Sequence, residues 1–166
     1  MNQAELRSVQ APLKEQYRQQ PASALLTLRA ESRLGAGVTC KVDTGRAVVE
    51  AGLHPATGGN GAAACSGDML LEALAACAGV TLNAVATNLG IEIRDAAVQA
   101  EGDLDFRGTL GVDRAAPVGF KEIRLRFDID ADATSEQRAK LIELTERYCI
   151  VYQTLTAAPP VRTEMI

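Results

Sequence analysis

"SGDMLLEALAACAGVTLNAVATNLG", residues 66–90, is the stretch on which the fold turns. Ser66 can cap a helix, Asp68 places a carboxylate in the first turn where the helix field is positive, and Gly90 supplies a C-terminal stop. Between them the spacing predicts one helix from Ser66 to about Asn88, about 30 Å long at 1.5 Å per residue. Leu70, Leu74, Cys77, Thr81 and Val85 recur at three or four residues and form a stripe that Leu71, Val80 and Leu82 widen. Ala75, Ala76, Ala78 and Gly79 keep the surface thin, so other elements can approach closely. Such a helix invites a membrane reading. Glu72, Asn83 and Asn88 interrupt it and no other segment could span a bilayer, so a buried central helix is preferred.

Working outward, "SALLTLRAESRL" from Ser23 alternates in the period of a half-buried strand, and "VTCKVDTGRAVVEAGL" reads as two short strands around a turn at Asp43-Thr44-Gly45. The glycine-rich "HPATGGNGAAA" lacks both the Lys-Ser/Thr ending of a phosphate loop and GxGxxG spacing, and reads as a crossing into the helix. Beyond it, "IEIRDAAVQAEGDLDF" and "GFKEIRLRFDIDA" are strands, the second alternating Ile123, Leu125, Phe127 and Ile129 with Arg124, Arg126, Asp128 and Asp130. Thr134 and Gln137 form a capping box that opens a second helix toward Tyr148 and Cys149. The tail "PPVRTEMI" is expected to add a last strand. Residues 1–20 are polar and helix-prone despite Pro12, an appendage suited to packing on something else. The order of strands, central helix, strands, helix and strand defines an α+β chain with one domain over 1–166.

The composition narrows function. Seventeen basic against 21 acidic side chains give a net charge of −4, which offers no electrostatic footprint for nucleic acid or anionic lipid. With 4% aromatic residues and no tryptophan, platforms for stacking bases or sugars are scarce. The amino terminus lacks the apolar core of a secretory signal, so the expected compartment is the cytoplasm. There, Cys40, Cys65, Cys77 and Cys149 are expected as free thiols or a redox couple. None forms CxxC and only one histidine, His54, is present, so neither a metal site nor a cofactor is expected. The plainest reading of each cysteine is a small buried hydrophobe. Cys65, beside the proposed cap, is also a candidate alternative resolving thiol.

"GDMLLEALAACAGVTL", followed 72 residues after its cysteine by "ERYCIVYQTL" with "GFKEIRLRFDID" between, resembles the OsmC/Ohr superfamily of osmotically inducible and organic hydroperoxide resistance proteins. The resemblance covers roughly residues 23–166. It implies an OsmC-like fold with antiparallel sheets around a long central helix, and an intertwined homodimer with a site at each subunit boundary. It implies that Cys77 is the peroxidatic nucleophile and Cys149 its resolving partner. The activity would be thiol-dependent reduction of small organic hydroperoxides in oxidative-stress defence, with an external thiol as reductant. The alternative is a noncatalytic member holding a small apolar ligand at the dimer cleft.

Only a thiolate attacks a peroxide, and a free cysteine titrates near pH 8.5. Cys77 lies mid-helix, beyond the field of its own N-terminus, so a cation is expected to hold the anion. The resemblance implies an arginine from the early strands, with Arg33 favoured over Arg29 and Arg46, oriented by a glutamate ten residues before the cysteine. That place is Gly67 here, with Asp68 beside it and Glu72 nearer Cys77 as supporting candidates. The family's Cys-Pro at the second site is Cys149-Ile150.

Overall fold

A computed structural model describes residues 2–20, 23, 31–34, 39–43, 48–111 and 113–165. The chain divides into two compact units, one of residues 1–15, 73–99 and 125–166, the other of residues 16–72 and 100–124.

In the first unit, the capping box at Thr134 forms as its sequence requires. The Thr134 hydroxyl accepts from the Gln137 N–H at 3.2 Å, and Gln137 Oε1 accepts from the Thr134 N–H at 2.8 Å. It starts α4, Ser135–Tyr148. The guanidinium of Arg138, in the first turn, donates to the carbonyls of Ile129, Ala131 and Ala133, the residues that lead into this helix. Along α4, Leu141 and Thr145 are completely buried, as is Cys149 at its end, one stripe at four-residue spacing. The core beneath consists of Leu141 with Leu82, Val85, Ala86, Ile91 and Ala131, flanked by Phe127 and Ile129.

The helix on which the fold turns is α2, Ser66–Leu89. Gly90 ends it at φ +70°, where a side chain would be strained, and Ile91 N–H closes the cap on the Ala86 carbonyl at 2.9 Å. Its buried face is Leu74, Ala78, Leu82, Val85 and Ala86. This is rotated from the expected stripe: Ala78 is fully covered, whereas Val80 is 73% exposed. Ala78 and Ala86 let the packing partner approach closely between the bulkier Leu74, Leu82 and Val85. Among the described residues α2 alone is long and apolar enough to cross a membrane, and only 28% of its most apolar window is buried. The expectation of a buried central helix therefore holds for one face of the single chain.

The amino-terminal helix α1, Gln3–Gln19, carries Pro12 inside it, and Gln3 Nε2 donates to the Asn88 carbonyl at the end of α2 at 2.7 Å. The tail does not form the expected strand. After α5, Ile150–Thr156, residues 158–165 have no regular structure, since Pro159 and Pro160 have no N–H to give to a ladder.

In the second unit, β1 (Glu31–Leu34), β2 (Thr39–Asp43), β3 (Val48–Gly52) and β4 (Ala64–Cys65) form a sheet in that order. The pairs β1–β2 and β2–β3 are antiparallel, with Asp43 opposite Val48 at the expected hairpin. The two-residue β4 is parallel to β3, a departure from a purely antiparallel reading. The glycine-rich crossing folds into a 3-10 turn, Pro55–Thr57, in which His54 Nδ1 accepts from the Ala56 N–H at 3.0 Å. The His54 ring stacks on Phe106 of the short helix α3, Phe106–Thr109, at 4.9 Å between centroids. Strands β5 (Ile93–Asp103) and β6 (Glu122–Ala131), whose residues 93–99 and 125–131 belong to the first unit, pair in a second sheet, and from Leu125 on β6 alternates covered apolar with exposed charged residues as its sequence dictates.

Candidate functional site

Within the first unit, α2 contributes Cys77, one position before fully buried Ala78, and α4 contributes Cys149 as the last member of its buried stripe. The two thiols act on each other's ionisation, although 72 residues separate them in sequence. Cys77 is half-buried and Cys149 fully buried, and both are free thiols.

Local backbone geometry explains how Cys149 comes to face Cys77. At φ −74° and ψ 109° Cys149 is extended, which breaks the helix into α4 and α5. Its own N–H still closes α4 on the Thr145 carbonyl at 2.9 Å, while its carbonyl receives the Gln153 N–H at 3.0 Å and starts α5. The residue thus ends one helix and begins the next. The Ile150, Val151 and Tyr152 N–H groups at the start of α5 have no carbonyl within their own helix to bond to.

Those N–H groups favour the ionised form of the thiols. Burial pushes the Cys77 thiol up, but the Val151 N–H, the Cys149 side chain and the Ile150 N–H favour its anion and outweigh that penalty, leaving it below the ordinary thiol value. Thr81, one turn further along α2, contributes least of these. Its single hydroxyl proton goes to the Cys77 carbonyl at 2.8 Å, so we assign it a minor share. Cys149 is pushed the opposite way: burial raises it, the Tyr152 and Val151 N–H groups partly offset this, and the neighbouring Cys77 raises it further. Cys77 is thereby the more acidic of the two thiols and Cys149 the less acidic, the usual outcome for two acids sharing a site.

The guanidinium expected beside Cys77 falls outside the described residues, and what lowers the thiol among those described is neutral. Its own helix start is indeed remote, yet the start of α5 supplies neutral donors directly. Arg33 lies on β1 opposite Lys41, and its side chain is outside the described residues, as are Arg29 and Arg46 altogether. Asp68 and Glu72 are exposed on the part of α2 that belongs to the second unit. Gly67, at the place of the family's glutamate, faces an apolar nook: a Cβ there would touch Cys65 Sγ and Phe120 Cζ at 3.6 Å and Leu104 Cδ1 at 3.7 Å. Cys65 is half-buried in that nook, and Cys40 lies on β2 with its side chain outside the described residues. Among the described residues, no three His, Cys, Asp or Glu side chains gather at metal-binding separation.

Sequence reading placed Thr81 on the same helix face as Cys77 by its i+4 spacing but gave it no part in the site. It also missed the amides of 150–152, for which no signal existed, because "YCIVYQTL" contains no glycine or proline to mark a break.

The same unit holds an open groove of about 550 Å³ between α1, α2 and α4, with Val80, Val85, Leu89, Leu144 and Tyr148 on its walls and Lys14 at its edge. Thr81 also lines it, the residue whose hydroxyl bonds the Cys77 carbonyl.

An α+β chain with a long helix that carries one thiol, and a helix break that carries a second against it, defines a thiol-pair protein. The sequence profile of the OsmC-like protein family matches residues 58–164, and the chain belongs to that family. Among solved structures, an OsmC-like protein from Mycoplasma pneumoniae is similar with a TM-score of 0.67 at 19% identity, over 80% of this chain and 89% of that one. An organic hydroperoxide resistance protein OsmC from Legionella pneumophila gives 0.63 at 20% identity, over 81% and 92% of the two chains. An organic hydroperoxide resistance protein from Elizabethkingia anophelis gives 0.62 at 23% identity, over 81% and 91%. At these identities the likeness is one of fold. No curated protein matches the sequence.

Proposed function

We propose that this protein is a thiol-dependent peroxidase that reduces small organic hydroperoxides through Cys77 and Cys149. The observation that carries the reading is that two free thiols, Cys77 on α2 and Cys149 at the break between α4 and α5, influence each other in one unit, with Cys77 lowered and Cys149 raised. In the first step the Cys77 thiolate attacks the terminal oxygen of the hydroperoxide, the O–O bond breaks, and sulfenic acid forms on Cys77. The alkoxide that leaves takes a proton from the Cys149 thiol and departs as the alcohol. The Cys149 thiolate so generated then attacks the Cys77 sulfur and expels hydroxide, giving a disulfide. Two external thiol groups restore the pair. Each turnover consumes two thiols and one hydroperoxide and yields a disulfide, an alcohol and water.

The working form is proposed to be a homodimer in a reducing compartment. What supports this is the bare apolar side of α2, with Val80 at 73% exposure and Leu89 at 42%, a surface costly to leave in water. Arg33 is retained as the proposed guanidinium partner of Cys77, with Asp68 and Glu72 as supporting groups. A second reading, binding of a small apolar ligand without turnover, is favoured by the volume and lining of the groove beside Thr81.

The test is hydroperoxide consumption with a dithiol reductant. The unsubstituted protein is expected to turn over, Cys77→Ser to stop, and Cys149→Ser to stall after one equivalent with sulfenic acid on Cys77. Unchanged turnover in Cys77→Ser rejects the assignment. No turnover in the unsubstituted protein, together with an apolar molecule co-purifying in native mass spectrometry, transfers the weight to the binding reading.

A further inference from the structure

The groove between α1, α2 and α4 has one wall that the family profile does not reach. That profile begins at residue 58, whereas α1 spans Gln3–Gln19. Gln10 and Lys14 of α1 line the groove, four residues apart and so on one face of their helix. Among the described residues neither side chain has a hydrogen bond or an ion pair. The polar groups of α2 in the groove are already engaged within their own helix. Thr81 donates to the Cys77 carbonyl at 2.8 Å, and Asn88 Nδ2 to the Ala84 carbonyl at 3.0 Å. Val80, Ala84, Val85 and Leu89 of α2 and Leu144 of α4 make the remaining wall apolar. The volume of about 550 Å³ lies within the range of about 300–1,000 Å³ that takes small organic ligands.

We infer that this groove is a site for an amphipathic monocarboxylate, its alkyl chain along α2 and α4 and its carboxylate at Lys14, with Gln10 Nε2 donating to one carboxylate oxygen. A wholly apolar molecule covers the walls but leaves the lysine and the amide without a partner. A compact anion such as phosphate meets the lysine and leaves the walls in water. A carboxylate on an alkyl chain satisfies both. The chain carries a net charge of −4, so the overall field does not draw anions here and selection falls to the local cation. Thr81, whose hydroxyl bonds the Cys77 carbonyl, and Tyr148, the residue before Cys149, both line the groove, so the bound chain runs beside the helices that carry the two thiols. The inference rests on the binding reading of this groove, whose ligand class it names, and requires no peroxide chemistry.

Octanoate and octanol separate charge from chain, since the two probes differ only at the head. Methyl NMR titrations of the reduced protein at neutral pH read affinity and place together, through Val85 and Leu144. Octanoate is expected to bind about threefold to fivefold more tightly than octanol, the contribution of one exposed ion pair. That margin should shrink as salt rises from about 0.02 M to about 0.5 M. Lys14→Gln, at an exposed position, should weaken octanoate by the same factor and leave octanol unchanged, and Lys14→Arg should keep the preference.

Equal affinities for the two probes overturn the inference, as does an unchanged octanoate affinity in Lys14→Gln. In either case octanol that still shifts the Val85 and Leu144 methyls leaves the apolar-ligand reading standing. Octanoate that moves other methyls and not these overturns the inference too. If a second copy of the chain fills the groove, neither probe moves these methyls, and this inference falls together with the binding reading. Hydroperoxide turnover is measured separately and decides neither.

Discussion

Replacing Leu141 by alanine tests the packing that places Cys149. Leu141, Thr145 and Cys149 are each fully buried along one face of α4, so the first residue of this stripe anchors the helix whose end presents the second thiol. Leu141 is in the core with Leu82, Val85, Ala86, Ile91 and Ala131, a set contributed by α2, the turn after it and β6. Removing three carbons costs about 2.4 kcal/mol at about 0.8 kcal/mol per buried methylene. The unfilled cavity adds to this, for a total of about 3–4 kcal/mol, within the 2–5 kcal/mol such substitutions cost. Against a domain stability of about 5–15 kcal/mol this is a large share, a melting temperature lower by about 10 °C. The chain has no tryptophan, so the assay is urea unfolding followed by far-UV circular dichroism, with reductant present. The midpoint should fall with the slope unchanged. Ile150→Ala, at an exposed position, should stay within about 0.5 kcal/mol as the control. A loss below about 1 kcal/mol in Leu141→Ala would refute the claim that this stripe is packed.

The reduced protein should be most stable near the unfolded thiol value of about 8.5. The lowered Cys77 contributes stability that is present above that value and lost as pH falls through its folded value; the raised Cys149 contributes stability present below it and lost as pH rises through its own folded value. Urea midpoints over a pH series in the unsubstituted protein and in the Cys77→Ala, Cys149→Ala double variant check this, and equal curves for the two count against the opposed tuning. Arg138→Met strands the part-buried carbonyls of Ile129, Ala131 and Ala133 and should cost about 2 kcal/mol in the same assay, with Arg138→Lys recovering only part. Val80→Asp should convert the proposed dimer to monomer in sedimentation; an unsubstituted protein that already sediments as a monomer removes the dimer from the reading.

Much of the fold was legible because it is written in local rules. The length of α2, its stop at Gly90, the Thr134 capping box and the alternation along β6 each depend on residues within a few positions of one another. The failures share a cause. Val80 was placed in the apolar stripe because periodicity alone cannot tell which side of an apolar helix meets the core, and the tail was given a strand although two prolines deny it donors. The break at Cys149 left no trace, since helix-compatible residues continue on both sides.

By itself the sequence determined an α+β chain with one thiol on a long apolar helix and another at the end of a later one. It identified both cysteines but could not tune either. Only the tertiary structure decided which sulfur is the easier to ionise, because that depends on what surrounds each one once two segments 72 residues apart are packed together. Residue identity fixes which groups can ionise, and the fold fixes what surrounds them.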